Sequence, residues 1–222
     1  MTRAVRTRSP YRRETPAVPS DPRPRIVLLR HGETEWSRTG RHTGRTDVPL
    51  TEAGEAAAAA LRGRLPVARA ALVLSSPLRR AADTGRLAGV DGLGVPVEMV
   101  DDLAEWDYGE VEGRTTAEIR EDHPGWDIWD AGPRAIARSG ETLDEVGARA
   151  DRVLARCLAE DGDVVLVGHG HALRILGARW LGLPPVAGRG LLLDAGRWSL
   201  LAWERSARAI ASWNVAPCRE TP

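Results

Sequence analysis

The chain alternates short apolar runs with longer segments of helical periodicity. Apolar runs at 26–29, 71–74 and 163–167 are bounded by turn or charged residues, as strands buried on both faces are. Another short strand is predicted at 95–100, and helices are predicted over 51–65, 77–88, 116–122, 142–160 and 172–181. Strands separated by helices indicate a mostly parallel sheet with helices on both faces.

Residues at the ends of the predicted elements support these bounds. Thr51 is suited to cap a helix start, and Pro77 fits the first turn of the next helix. Apolar residues recur at helical spacing over 142–160 up to Cys157, which is therefore a predicted core residue. Segments 191–193 and 199–203 are predicted to pair as a closing hairpin, with Asp194, Ala195 and Gly196 in its turn.

The two ends of the chain differ in composition from its middle. Residues 1–24 are rich in Arg and Pro and hold few large apolar side chains, so we expect a disordered tail there. Residues 25–206 are expected to form one domain, and residues 207–222 a C-terminal tail. A chain of 222 residues is long enough for one α/β domain with a substantial core.

The charge and composition of the chain indicate which partners and which compartment to expect. The chain has 31 basic and 31 acidic residues and a formal net charge of zero, so we expect neither nucleic acid nor an anionic membrane as partner. Its start lacks the apolar stretch of a secretory signal and no run is long enough to span a membrane, which predicts a cytoplasmic protein. Cys157 and Cys218 show no metal-binding or redox spacing.

Charged groups follow the predicted strands at the same end of the sheet. They are Arg30 and His31 after the first strand, Arg79 and Arg80 after the second, Glu105 after the third and His169 after the fourth. Because ligands bind outside the carboxyl ends of parallel strands, we expect these groups to converge. Taken singly, the arginines also suit surface ion pairs, and His169 suits the start of a helix.

Four motifs occur in the order that the histidine phosphatases, or phosphoglycerate mutase-like proteins, show. The motifs are RHGETEW at 30–36, SSPLRRAADT at 75–84, LAEWDYGEVEG at 103–113 and GHGHALR at 168–174, and GRHTGRTDVPLT at 40–51 resembles the family's loop and helix entry. The chain from 25 to 204 resembles this family. The resemblance implies an α/β fold of three layers, α/β/α, around a mostly parallel central sheet.

The resemblance also implies site residues. His31 would be the nucleophile that takes the phosphoryl group, Glu105 the general acid, and Arg30, Arg80 and His169 would bind phosphate together with His31. Further substrate contacts would be Ser37, Thr43, Gly44, Tyr108 and Gly170, and neither a metal nor a cofactor would be needed. Preorganised Arg and His donors can stabilise the charge on a phosphoryl group during its transfer. Nearby guanidinium groups would lower the pKa of His31 below about 6.5.

The family contains both phosphatases and mutases, and the chain is more similar to a phosphatase branch that includes the sedoheptulose bisphosphatase type. EWDYGEVEG, WDIWDAG at 126–132, GHGHALR and LLLDAG at 191–196 carry this likeness. Mutases cover the phosphohistidine with an inserted segment carrying Lys, whereas this chain has no Lys and only 27 residues between Gly113 and Glu141. We therefore expect hydrolysis of small phosphomonoesters, sugar phosphates or bisphosphates, through a phosphohistidine.

Three alternatives stay open at this point: phosphoglycerate mutase-type transfer, a catalytically silent phospho-ligand-binding protein of the same fold, and a metal hydrolase with His169 and His171 as ligands. Roles also stay open for Arg41, His42 and Arg45, as pocket-mouth charge or exposed loop, and for His171 and Arg174, as support or packing. Trp126, Trp129 and Trp180 suit a sugar pocket or core packing. Many family members are dimers, which leaves a homodimer open.

Overall fold

Six strands form one sheet in residues 23–217, the part of the chain that this computed structural model describes. The strands are β1 (Ile26–Arg30), β2 (Ala70–Ser75), β3 (Val97–Met99), β4 (Asp163–Gly168), β5 (Trp198–Glu204) and β6 (Ala207–Val215). The α-helices are α1 (Glu35–Arg38), α2 (Glu52–Ala59), α3 (Arg79–Ala88), α4 (Thr116–Asp122), α5 (Leu143–Cys157) and α6 (Gly170–Trp180). Short 3-10 helices lie at Val90–Gly92, Asp101–Leu103, Gly109–Val111, Pro133–Ala135 and Pro185–Gly190.

The sheet is mostly parallel, as predicted. Its strand order is β3-β2-β4-β1-β5-β6, with β1 to β4 parallel and with β5 and β6 antiparallel at one side. Arg30 is the register partner of Gly168, and Ser75 is the partner of Val167. The carboxyl ends of β1, β2 and β4 therefore lie side by side at one edge.

The sheet separates two apolar cores because successive strand residues point to opposite faces. Ile26 and Leu28 of β1 join one core with residues of α5 and α6, whereas Val27 and Leu29 join the other with residues of α3 and the segment after α2. Cys157 is buried in the first core, as predicted, and burial raises the pKa of its thiol to about 12. The result is the expected three-layer α/β/α arrangement.

The longest helix begins at the predicted cap, and other helix bounds differ from prediction. Thr142 caps α5 in a reciprocal pair of hydrogen bonds with Glu145. Thr51 caps α2, which ends at Ala59 rather than at residue 65, and Gly63 follows with a φ of +69°. Helix α3 begins at Arg79, two residues after Pro77. No helix of the described residues is long and apolar enough to cross a membrane.

Two predictions near the C-terminus are wrong. Residues 191–193 form no strand, and the hairpin instead joins β5 to β6 through a turn in which Arg205 has a φ of +54°. Residues 207–215, predicted as tail, are the edge strand β6 of the sheet. Asp194 to Gly196 looks like a hairpin turn, whereas Arg205-Ser206 lacks the usual Asn-Gly or Asp-Gly signal. The predicted N-terminal tail falls on residues 1–22, outside the described residues, and on Arg23 and Pro24.

Candidate active site

A cavity of about 170 Å³ opens at the carboxyl edge of the parallel strands. Twelve residues line it: Arg30, His31, Ser37, Gly40, Arg41, His42, Thr43, Glu105, Tyr108, Gly170, His171 and Arg174. Seven of the ten predicted site residues are among them. The other three, Gly44, Arg80 and His169, are not among the residues that line it.

His31 lies directly after β1 and is held in one tautomer. Its backbone N–H donates to the carbonyl of Gly168 at 2.9 Å, and its Nδ1 lies 2.7 Å from the carbonyl oxygen of Gly32. A carbonyl only accepts, so Nδ1 carries the proton and Nε2 keeps a free lone pair. Burial, then the charges of Arg30 and Arg80, hold the pKa of His31 well below its ordinary value.

Arg30, the last residue of β1, has a buried donor without a partner. Its Nη1 donates to the carbonyl of Leu193, but its buried Nε has no hydrogen-bond partner in the structure. A Cβ added at Gly170 would lie 3.1 Å from Cζ of Arg30, so the glycine leaves room for the guanidinium. A buried N–H without a partner costs about 1–3 kcal/mol. This donor is therefore suited to an anion from outside the protein.

Arg80 and His169 form a fully buried pair, each with 0% of its surface exposed. Nε of Arg80 donates to Nδ1 of His169 at 3.1 Å, and Nε2 of His169 lies 2.7 Å from the hydroxyl of Ser76. The ring centroids of His169 and His31 are 5.1 Å apart. The structure thus brings the pair beside His31.

The remaining donors of Arg80 hold the loop that covers it. Nη1 donates to the carbonyl of Thr46 at 2.8 Å, and Nη2 donates to the carbonyls of Thr43 and Gly44 at 3.1 and 2.9 Å. Four of the five guanidinium N–H groups are therefore engaged within the protein. Gly44 is expected as a substrate contact, but its carbonyl binds Arg80 and it does not line the cavity.

Glu105 is held against the N-terminus of α6. Its Oε1 accepts from the backbone N–H groups of Trp106 and Ala172, both at 2.9 Å, and its Oε2 accepts from that of His171 at 3.1 Å. The side chain lines the cavity together with His31, although only 5% of the residue surface is exposed. Both carboxylate oxygens are fixed in place by backbone groups.

The hydroxyl groups of the other predicted contacts are already engaged. Oγ of Ser37 accepts from the N–H of Thr34 at 2.9 Å and donates to its carbonyl at 3.0 Å, which caps α1. Oγ1 of Thr43 donates to the carbonyl of Arg41 at 3.1 Å. The hydroxyl of Tyr108 lies 2.6 Å from Nδ1 of His171.

Tyr108 and His171 are linked by a hydrogen bond of defined direction. Burial raises the pKa of Tyr108 well above its ordinary value and lowers that of His171 well below 6.5. The phenol therefore stays protonated and donates to the neutral imidazole. His42 lies beside them, its ring centroid 4.9 Å from that of Tyr108.

A family model confirms what the motifs indicate. The model of the histidine phosphatase superfamily, branch 1, matches residues 26–216. This chain is a member of the histidine phosphatase superfamily. The match covers both sides of the cavity and includes β6, which the predicted domain of residues 25–206 leaves out.

Three relatives show what this histidine phosphatase is similar to. An acid phosphatase from Mycobacterium tuberculosis is 40% identical over 192 residues, which cover 84% of this chain and 90% of that protein. Sedoheptulose 1,7-bisphosphatase from Saccharomyces cerevisiae is 35% identical over 192 residues, covering 72% of this chain and 68% of that protein. A solved mycobacterial glucosyl-3-phosphoglycerate phosphatase complexed with VO3 has a TM-score of 0.76 at 31% identity, covering 87% of this chain and 100% of its own.

The structure places the basic residues that the sequence left open. Arg41 lines the cavity of this histidine phosphatase but forms an ion pair with Glu118 at 3.0 Å. Arg45 is exposed and lies 3.6 Å from Asp107. Arg174 lines the cavity, and its Nε and Nη2 donate to the carbonyls of Gly188 and Arg189, respectively. Arg41 and Arg174 therefore face the cavity, and Arg45 does not line it.

The tryptophans pack behind the cavity of the histidine phosphatase rather than line it. Trp126 and Trp129 are buried in the core, and Trp180 stacks edge-on against Trp203, with ring centroids 5.1 Å apart. Trp129 supports the wall through His171, at 5.1 Å between ring centroids. Core packing is therefore the role that the structure supports for all three residues.

His169 and His171 do not form a metal site in this structure. Both ring nitrogens of His169 are engaged, and Nδ1 of His171 is bound by Tyr108. Residues 23–217 contain no group of three His, Cys, Asp or Glu side chains placed to hold a metal ion.

Two residues near the site were missing from the predicted set. Gly40 lines the cavity, and Ser76 binds His169. Ser76 did have a usable signal, because it directly follows β2 at the edge where the other site residues lie. Gly40 sits in a loop, and the motif spacing gives no indication of which loop residues face inward.

Proposed function

We propose that this histidine phosphatase hydrolyses small phosphomonoesters, sugar phosphates or bisphosphates, through a phosphohistidine on His31. One observation carries the proposal: neutral His31 has a free Nε2 in a cavity that also presents Glu105 and Arg30, whose Nε–H is unused. A nucleophile, a proton carrier and a donor for the phosphoryl oxygens are the parts that metal-independent phosphoryl transfer needs.

In the first step, Nε2 of His31 attacks the phosphorus atom of the ester. The N–P bond forms as the bond from phosphorus to the leaving oxygen breaks, and that oxygen takes the electron pair. Glu105 acts as the acid and gives a proton to the leaving oxygen, so the product departs as an alcohol.

In the second step, water replaces the alcohol. Glu105 is now a carboxylate and accepts a proton from the water as its oxygen attacks phosphorus. The N–P bond breaks, its electron pair returns to Nε2 of His31, and inorganic phosphate leaves. The proton that Glu105 gave to the leaving oxygen is thereby replaced by one from water.

The arginines would carry the positive charge around the phosphoryl group. The Nε–H of Arg30 is a buried donor without a protein partner, and we assign it to a phosphoryl oxygen. Arg80 retains one N–H beyond its bonds to the loop and to His169, and we assign that N–H to phosphate as well. In this scheme neutral His169, predicted as a direct phosphate contact, acts through Arg80: both of its ring nitrogens are engaged, and its Nδ1 holds the Nε of Arg80 in place.

Two observations support a small sugar phosphate as substrate. The relatives named above include a sugar bisphosphatase and a phosphatase of a glycosylated phosphoglycerate. The cavity is small, about 170 Å³, and its wall carries Arg41, His42, His171 and Arg174 beyond the groups proposed for chemistry. Ser37, Thr43, Tyr108 and Gly170 remain proposed substrate contacts because they line it.

The test is a panel of phosphorylated sugars, bisphosphates and phosphoglycerates, with inorganic phosphate measured alongside each dephosphorylated product. We expect stoichiometric release of phosphate and loss of release in His31→Ala. His123→Ala is the matched control because His123 does not line the cavity. Movement of phosphate between positions of one substrate without net release would instead show a mutase, and binding without turnover a silent binding protein.

A further inference from the structure

The loop that carries Glu105 is fixed by a buried ion pair outside the cavity. The pair consists of Arg149, on the inward face of α5, and Glu141, just before the cap of that helix. Nε and Nη2 of Arg149 donate to Oε1 and Oε2 of Glu141 at 2.9 and 3.1 Å. The side chains are 6% and 18% exposed, so the pair is largely removed from solvent.

Arg149 binds the loop through three of its backbone carbonyl groups. Nη1 donates to the carbonyls of Asp102 and Ala104 at 2.8 and 2.6 Å, and Nη2 donates to the carbonyl of Glu105 itself at 3.1 Å. The last of these contacts is to the residue that the proposed mechanism uses as its acid. A single guanidinium thus fixes the backbone on which the reacting carboxyl group is carried.

Glu141 binds the same loop on the other side of Glu105. Its Oε2 accepts from the N–H of Asp107 at 3.0 Å, and its carbonyl accepts from the indole Nε1 of Trp106 at 2.8 Å. The N–H of Glu141 also donates to the carbonyl of Asp107 at 2.9 Å. The ion pair therefore forms hydrogen bonds with the backbone on both sides of Glu105.

The support itself is anchored on a rigid element. Helix α5 has 15 residues, and its first turn is closed by reciprocal hydrogen bonds between Thr142 and Glu145. Neither Glu141 nor Arg149 lines the cavity. The contacts by which the pair reaches the site are therefore those to the backbone of the loop that carries Glu105.

We propose that Arg149 and Glu141 are positioning residues for the acid Glu105. The inference rests on the proposed function, in which Glu105 protonates the leaving oxygen. The carboxyl group must lie within hydrogen-bond reach of that oxygen, and displacement by about 1 Å costs on the order of 100-fold in rate. The ion pair holds the backbone that carries Glu105, and three backbone N–H groups then hold its carboxylate.

The test varies the leaving group of the substrate, which separates loss of proton donation from loss of folded enzyme. The aryl ester p-nitrophenyl phosphate releases a stable phenolate, so its hydrolysis needs little proton donation. Glycerol 3-phosphate would release an unstable alkoxide, so its hydrolysis depends on proton donation to the leaving oxygen. The readout is the ratio of kcat/KM for the aryl ester to kcat/KM for the alkyl ester. This ratio does not depend on the fraction of enzyme that is folded, because that fraction cancels.

The variants are Arg149→Lys, Glu141→Gln and, as the reference for loss of the acid, Glu105→Gln. Lysine keeps the charge but cannot reach Glu141 and three carbonyls at once, and Glu141→Gln keeps the shape and removes the charge. The matched control is Arg152→Lys, because Arg152 lies on the same helix and bonds to Asp102 of the same loop, but is exposed.

We expect Glu105→Gln to raise the ratio by about 100-fold or more, and both positioning variants to raise it by about 10-fold or more. Arg152→Lys should leave the ratio as in the wild type. If Glu105→Gln raises the ratio while Arg149→Lys and Glu141→Gln leave it unchanged, the positioning role is overturned alone. If Glu105→Gln also leaves it unchanged, the assignment of Glu105 as acid is overturned, and the positioning role with it.

Discussion

Nε of Arg80 donates a hydrogen bond to Nδ1 of His169 at 3.1 Å. Because an arginine N–H cannot accept, His169 is neutral and carries its proton on Nε2, facing Ser76. Burial and the charge of Arg80 also hold the pKa of His169 well below 6.5. His31 is kept neutral in the same way. The fixed positive charge around His31 thus comes from arginines, and both imidazoles stay uncharged.

Replacement of Arg30 by Lys should impair phosphoryl transfer more than it impairs folding. Lysine retains the charge but lacks the Nε–H that has no protein partner. It also lacks the planar guanidinium, which bonds to the carbonyl of Leu193 through Nη1 while Nε remains available. We expect kcat/KM to fall by about 100- to 1,000-fold, the usual cost of one donor to a developing charge. Steady-state kinetics on the fastest substrate of the panel measure it.

The control for this change is Arg79→Lys, in the neighbouring motif. Arg79 is exposed and pairs with Asp83 at 3.2 Å on the surface of α3. Its replacement should leave kcat/KM unchanged. Equal losses in Arg30→Lys and Arg79→Lys would show that the unused donor of Arg30 does not meet the phosphoryl group.

Buried histidines should make the fold less stable in mild acid. Burial lowers the pKa of His42 from 6.5 to about 4, so between these values the unfolded chain binds a proton that the folded chain does not. The free energy of unfolding should therefore fall as pH falls through this window, by about 1.4 kcal/mol per pH unit for His42. The lowered pKa values of His31, His169 and His171 act in the same direction.

Urea unfolding at several pH values between 7.5 and 5 measures this dependence. His42→Gln, which keeps a polar group beside the hydroxyl of Thr116, should reduce the slope between pH 6 and 5 by about 1.4 kcal/mol per pH unit. A variant with the slope of the wild type would contradict the burial of a neutral imidazole at this position.

Treatment with a chelator should leave kcat/KM unchanged. The proposed phosphate donors are arginine N–H groups, and the nitrogens of His169 are occupied by Arg80 and Ser76. Assays before and after exhaustive dialysis against EDTA provide the comparison. Loss of activity that returns on adding a divalent cation would favour the metal hydrolase instead.

The sequence predicted the parts of the site that lie at strand ends. Arg30 ends β1, and His31 and His169 directly follow β1 and β4, whose apolar runs are unambiguous. Parallel pairing of these strands brings their ends together. Arg80 and Glu105 were expected at the same edge because they come after the second and third predicted strands, and the motifs singled them out from their charged neighbours. The same reasoning identified the parallel core of the sheet because buried strands leave a strong apolar signal.

The parts that were not predictable depend on side-chain contacts across long distances in sequence. Arg149 lies 44 residues from Glu105, and nothing in a helical pattern distinguishes this buried arginine from exposed Arg152. Gly44 matches a family position, but its carbonyl is engaged by Arg80. The edge strand β6 was missed because its residues are only partly buried and its turn at Arg205 carries no standard signal.

The central claim is that His31 carries the phosphoryl group during turnover, and direct trapping tests it best. Enzyme mixed with its fastest substrate is quenched within the first turnover in alkaline denaturant, which preserves a phosphorus–nitrogen bond, and its peptides are analysed by mass spectrometry. We predict one phosphoryl group on His31 that is lost in acid and absent from His31→Ala. Full turnover with no phosphoryl group on His31, or undiminished phosphate release by His31→Ala, would contradict the account.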